Sequence, residues 1–129
     1  MATLFSRIIV GDIPCYKVAE NEKFLAFLDI SPLQKGHTLV IPKEEIDYIF
    51  DLDDSLLGEM MIFAKAVSKK IKASFPCKKV GIAVIGLEVP HAHIHLIPIN
   101  AMKDMDFSQP KLVLSPDDLS SISEKLQKA

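Results

Sequence analysis

The chain has 129 residues, 49% of them apolar and 25% charged, with a formal net charge of −2 and two cysteines. That length suits one compact domain with a substantial core, so residues 1–129 are read as a single unit, and the charge gives no reason to expect a nucleic-acid partner. No apolar run reaches the ~20 residues of a membrane span, no signal peptide is evident, and Cys15 and Cys77 have no CxxC spacing, so a reduced, cytoplasmic protein is expected.

Leu4, Phe5, Ile8 and Ile9 recur at helical spacing and predict a short N-terminal helix, stopped by Gly11 and Pro14. Residues 16–20 and 23–29 read as two strands of a hairpin joined through Asn21 and Glu22. Residues 38–41, between Gly36 and Pro42, give a third strand. From about Asp54 to Phe75, Leu56, Leu57, Met60, Met61, Phe63, Ala64, Val67 and Ile71 follow the three-and-four spacing of one long amphipathic helix. Asp53 or Asp54 is available as its N-cap, and Pro76 ends it. Lys69, Lys70, Lys72, Lys78 and Lys79 form its solvated end and the following turn.

Residues 80–85 and 91–99 complete a set of five strands. Ser115-Pro116-Asp117-Asp118 combines a cap, a proline at the first helical position and acids in the first turn, predicting a C-terminal helix to about Lys128. The expected fold is α+β, with a five-stranded, mainly antiparallel sheet, one long helix and two short ones.

Of four histidines, three fall at alternate positions in Pro90-His91-Ala92-His93-Ile94-His95-Leu96-Ile97-Pro98, and the fourth is His37. In an extended chain His91, His93 and His95 share one face, while Ala92, Ile94 and Leu96 face the core. A zinc site competes as an explanation, since His-x-His pairs on strands chelate metal. Positions 91 and 95 are roughly 13 Å apart along a strand, however, and no acid or cysteine closely follows to complete a shell. A helical pairing of His91 with His95 is disfavoured by the bracketing prolines. The remaining reading is nucleophilic catalysis on phosphorus. The central ring, His93, attacks, and the flanking rings donate to the phosphoryl oxygens or the leaving group.

These residues resemble the histidine triad family, whose signature is His-x-His-x-His followed by two apolar residues. The likeness extends through Leu4-Phe5-Ser6-Arg7-Ile8-Ile9, Leu25-Ala26-Phe27-Leu28-Asp29-Ile30-Ser31-Pro32 and Gly36-His37-Thr38-Leu39-Val40-Ile41-Pro42-Lys43, covering residues 4–99. It points to the nucleotide-binding hydrolase branch with bacterial members.

The resemblance implies that His93 attacks the α-phosphorus of a nucleotide and forms a nucleotidyl-histidine that water hydrolyses. It implies that His95 binds the phosphate and serves the leaving group, that His91 supports the nucleophile and that His37 joins the hydrogen-bonded set. Asp29 takes the place of the carboxylate that grips the ribose hydroxyls, and Phe5, Ile8, Leu28, Ile30 and Val89 fall where the family builds its purine slot. Taken alone, each of those apolar residues reads as core. The expected activity is hydrolysis or transfer on a purine nucleoside 5′-phosphoramidate. Cleavage of dinucleoside polyphosphates, or nucleotide binding with little turnover in a regulatory or scaffold protein, are the alternatives. No cofactor is implied.

Two departures stand out. Many bacterial relatives hold a structural zinc with Cys-x-x-Cys and a further histidine, whereas this chain has Thr3, Ser6 and Glu45 near those places, so no metal is expected. The polar pair that touches phosphate upstream of the triad is replaced by Leu87-Glu88 after a shortened Val84-Ile85-Gly86 loop, which puts substrate preference there. The family is usually a homodimer joined through the long helix and the strand near residue 80, with Met60, Met61 and Phe63 as apolar contacts. The tail beyond Asn100, Met102 to Phe107 in particular, is expected from the family to approach the partner subunit's site and tune substrate choice.

Overall fold

The computed structural model describes residues 3–129. Its first helix, α1 (Leu4–Ile9), is capped by Thr3, whose hydroxyl accepts the Ser6 N–H at 3.0 Å, and the chain turns away at Gly11, with φ of 87°. Strands β1 (Lys17–Glu20) and β2 (Phe24–Leu28) form the hairpin. Asn21 makes its turn by accepting the Lys23 and Phe24 N–H groups on Oδ1 at 2.9 and 2.8 Å, so β2 starts at Phe24 rather than at residue 23.

Strand β3 (Thr38–Pro42) precedes helix α2 (Asp54–Ser74), which is capped by the Asp53 carboxylate on the Leu56 N–H at 2.7 Å. Strands β4 (Lys79–Ala83) and β5 (Ile94–Ile99) follow, and α3 (Pro116–Lys128) begins with the expected Ser115–Asp118 capping box. Two 3-10 turns, Ile49–Asp51 and Met102–Met105, were not legible as elements.

The five strands form one antiparallel sheet in the order β1-β2-β3-β5-β4, which fulfils the α+β expectation. Helix α2 lays Met60, Ala64, Val67 and Ile71 against Phe24, Ala26, Leu28, Val40, Ile94 and Leu96, and α3 adds Leu119, Ile122 and Leu126 to that core. A buried Leu, Ile, Phe or Met contributes about 1.5–3 kcal/mol, so this face holds the fold together. The opposite face carries a smaller cluster, Phe5, Leu25, Phe27, Leu39 and Ile41, covered by α1. Alternation along the strands therefore gives each face a separate task.

Several strand ends shift by a residue or so, and two boundaries near the histidine run differ by more. Strand β4 ends at Ala83 instead of running to residue 85, because the chain leaves the sheet toward Gly86, at φ of 73°. Pairing of β5 starts at Ile94, opposite Val40, not at His91. Before that point the backbone is satisfied elsewhere, with the His91 N–H donating to the Val89 carbonyl at 2.8 Å and the Ala92 N–H to the Ile46 carbonyl at 2.7 Å. Met60, expected as part of a dimer surface, is 0% exposed in the α2 core and is unavailable for one. Among the described residues no helix is long and apolar enough to cross a membrane, and Cys15 and Cys77 are free.

Candidate active site

On the α1 face the end of β2, the start of β3 and the approach to β5 converge on a cleft of about 390 Å³. Phe5, Asp29, His37, Val89, His93 and His95 line it. His91 lies directly behind, fully buried.

Proton positions follow from the partners each ring has. The Leu33 N–H donates to His37 Nδ1 at 3.1 Å, so His37 carries its proton on Nε2. That Nε2 is 2.9 Å from His95 Nδ1, which must accept, leaving the His95 proton on Nε2. His93 is fixed in the opposite sense. Its Nδ1–H donates to the carbonyl of His91 at 2.7 Å, so Nε2 keeps a free lone pair. His91 donates from Nε2 to the Pro42 carbonyl at 2.8 Å and accepts the Thr3 hydroxyl on Nδ1 at 3.0 Å.

Burial disfavours the charged forms of His37, His91 and His95, because an imidazolium out of water loses its solvation. Desolvation, helped by repulsion from His95 and Lys111, pushes His37 down to about 3. Desolvation and then His93 push His95 down to about 4. His91 is also lowered, chiefly by burial, against the raising effects of the Pro42 carbonyl and Glu45. Asp29 is raised by burial, although the Ser31 N–H bonded to Oδ1 at 2.9 Å, His93 and Lys111 act against that.

Asp29, His37 and His95 bring three donor atoms within 4.8 Å of one another. The donor chemistry does not suit a cation. With His37 Nδ1 occupied by the Leu33 N–H, ligation through Nε2 requires an imidazolate or loss of that bond.

The predicted base slot is only partly assembled. Phe5 and Val89 line the cleft, with the Phe5 ring edge-on to His93 at 5.1 Å, and Ile8 packs behind them. Leu28, 3% exposed, points into the α2 core, and Ile30, 67% exposed, does not line the cleft. The reason is the period and extent of the strand. Leu28 alternates with Phe27 to the other face of the strand, and Ile30 lies beyond its end at Leu28.

Glu88 does line the cleft, and the C-terminal tail adds Phe107 and Lys111. Phe107 sits on the cleft of its own chain rather than reaching toward a partner's, 5.0 Å from the His95 ring and 6.3 Å from that of His37. Lys111 Nζ donates to the Phe107 carbonyl at 2.6 Å, and the Leu112 N–H ties the segment to the Pro32 carbonyl at 2.8 Å. Sequence spacing carried no signal for Lys111.

Comparison with known proteins places this geometry among relatives. The chain is similar to the adenosine 5′-monophosphoramidase hnt1 of Schizosaccharomyces pombe, at 34% identity over 98% of this chain and 96% of that protein. It is similar to Protein hit of Bacillus subtilis, at 36% identity over 97% of this chain and 92% of that protein. A crystal structure of a Hit-like protein involved in cell-cycle regulation, from Bartonella henselae, superposes with a TM-score of 0.84 at 25% identity, covering 98% of this chain and 95% of that one. The HIT domain family model matches residues 10–102, a span that contains His37 and the whole histidine run, and the chain belongs to the HIT family.

Proposed function

We propose that the protein hydrolyses purine nucleoside 5′-phosphoramidates through a covalent nucleotidyl-His93. One observation carries this reading: His93 and His95 line the same cleft with opposite hydrogen-bonding character, a bare Nε2 on His93 and an Nε2–H on His95. His93 Nε2 attacks the α-phosphorus, forming the P–N bond to imidazole as the P–N bond to the leaving amine breaks. The amine departs with its electron pair and takes a proton from solvent at the cleft mouth. His95 Nε2–H donates to a phosphoryl oxygen and stabilises its growing charge. Water then attacks phosphorus and loses a proton to solvent, the P–N bond to His93 breaks with its electron pair returning to Nε2, and the nucleoside monophosphate leaves.

The base lies against Phe5, Leu39 and Val89, and Asp29 accepts from the ribose hydroxyls. The similarity to hnt1 of fission yeast supports the choice of adenosine phosphoramidate as substrate. Lys111 at the cleft favours a second reading, in which the leaving group is anionic, as in a dinucleoside polyphosphate.

The protein functions as a homodimer in this reading. Strand β4 has an open edge, and Met61, Ile82, Val84 and Leu87 beside it are all exposed, Leu87 at 89%. A groove of about 850 Å³ between α2 and the 84–87 loop continues that surface.

The test combines a fluorogenic adenosine phosphoramidate with mass spectrometry of acid-quenched protein. Wild type turns over and shows a nucleotidyl adduct. His93→Ala loses activity on the order of a thousandfold or more and shows none. Equal turnover by the variant would refute the covalent route.

A further inference from the structure

We propose that Thr3 and Glu45, outside the cleft, are positioning residues for His93 and act through the buried ring of His91. The proposal rests on His93 being the nucleophile. His91 touches no substrate space, yet its carbonyl holds the His93 Nδ1–H at 2.7 Å and thereby sets which nitrogen of His93 faces the cleft. Where that carbonyl sits depends on the His91 ring, clamped between the Pro42 carbonyl at 2.8 Å and the Thr3 hydroxyl at 3.0 Å.

The Thr3 hydroxyl is itself held. It accepts the Ser6 N–H at 3.0 Å, and Glu45 Oε1 accepts both the Thr3 N–H at 2.9 Å and the Ser6 hydroxyl. Counting protons gives one consistent arrangement. The Pro42 carbonyl can only accept, so His91 donates from Nε2 and needs a donor at Nδ1. Ser6 gives its hydroxyl proton to the Glu45 carboxylate, and the Thr3 hydroxyl, 3.1 Å from Ser6 Oγ and 3.0 Å from His91 Nδ1, gives its proton to His91, whose Nδ1 has no other donor. Burial makes the demand strict, because His91 is 0% exposed and no water replaces the threonine. The same N-terminal turn sets Phe5 edge-on against His91 at 5.8 Å and His93 at 5.1 Å, so the cap of α1 and its aromatic residue grip both rings.

The experiment uses the full chain as wild type, Thr3→Val, Thr3→Ser and Glu45→Gln. Steady-state kinetics with adenosine phosphoramidate are measured well below each melting temperature, beside ¹⁵N spectra of the histidine rings. Thr3→Val lowers kcat on the order of tenfold, short of the hundredfold that a misplacement of about 1 Å can cost. KM stays within about twofold, since no substrate contact is lost. Thr3→Ser restores kcat, Glu45→Gln falls between, and the His93 Nδ1–H resonance broadens or shifts in Thr3→Val and, to a smaller extent, in Glu45→Gln. Wild-type kcat in Thr3→Val with an unmoved His93 resonance, or failure of Thr3→Ser to rescue, overturns the proposal. Lack of turnover by wild type itself overturns the phosphoramidase reading instead, and the ¹⁵N spectra still decide whether Thr3 sets the state of His93.

Discussion

Acidification should unfold this protein through its buried histidines. The unfolded imidazole titrates near 6.5, and in the folded chain His95 is held at about 4 and His37 at about 3. A depressed histidine pKa means that below pH ~6.5 the unfolded state binds more protons than the folded one. Stability is therefore full above that pH and falls as the pH drops. Integrating the linkage, each ring costs about 2 kcal/mol by about pH 5, about 4 kcal/mol together, a large part of a typical folding free energy. Asp29, raised by burial, has the opposite sign and reduces the total. Urea unfolding at several pH values between about 5 and 7.5 measures the slope. His37→Asn isolates one ring, because the asparagine carbonyl can still accept the Leu33 N–H while nothing at that position titrates. Its slope between about pH 5 and 6 should be shallower than wild type by roughly 1.4 kcal/mol per pH unit. Identical slopes, or a midpoint that does not move with pH in wild type, would refute the claim that these rings are locked neutral.

Lys111→Ala should lower kcat/KM about fivefold for substrates with an anionic leaving group and leave a neutral-amine substrate within about twofold, the scale of one exposed charge; equal effects on both would remove Lys111 from leaving-group selection. Light scattering should give wild type a mass twice that of the 14.3 kDa chain, and Met61→Lys should shift it to monomer with its circular dichroism unchanged; a monomeric wild type ends the homodimer reading. Gly36→Ala should destabilise by roughly 1–3 kcal/mol, because Gly36 sits at φ of 96° and an added Cβ would come within 2.9 Å of the Phe75 ring; a melting temperature equal to wild type would show that the strand start relaxes freely.

The period-two spacing brings His93 and His95 to one cleft, while His91, expected beside them, is buried behind it, where strand pairing has not begun. The same rule applied to Asp29 points to Phe27 as its partner on that face. Resemblance assigns Leu28 and Ile30 to the base slot, whereas Leu28 follows the strand period into the α2 core and Ile30, past the strand's end, is exposed. What spacing could not supply was long-range. The Ala92 N–H finds its acceptor at Ile46, the His91 ring finds Thr3 and Pro42, and the tail folds back to place Phe107 and Lys111 over the cleft. Each depends on where two distant segments meet, and no composition or periodicity within either segment encodes that meeting.

In the proposed mechanism, the partners of each ring account for four histidines where one reacts. The two rings that matter at the cleft need opposite characters, a lone pair on His93 and a proton on His95, and two free neutral imidazoles would each sample both tautomers. The chain settles the matter with backbone groups of opposite polarity. A backbone donor, the Leu33 N–H, starts the line through His37 that ends in a proton on His95 Nε2. A backbone acceptor, the carbonyl of His91, fixes the proton of His93 on the inner nitrogen and frees the outer one. His37 and His91 are thus the means by which backbone polarity is carried to the reacting rings. Charge is not required for that division of roles, so the burial that lowers His37, His91 and His95 disfavours their charged forms without removing the difference between the two rings at the cleft.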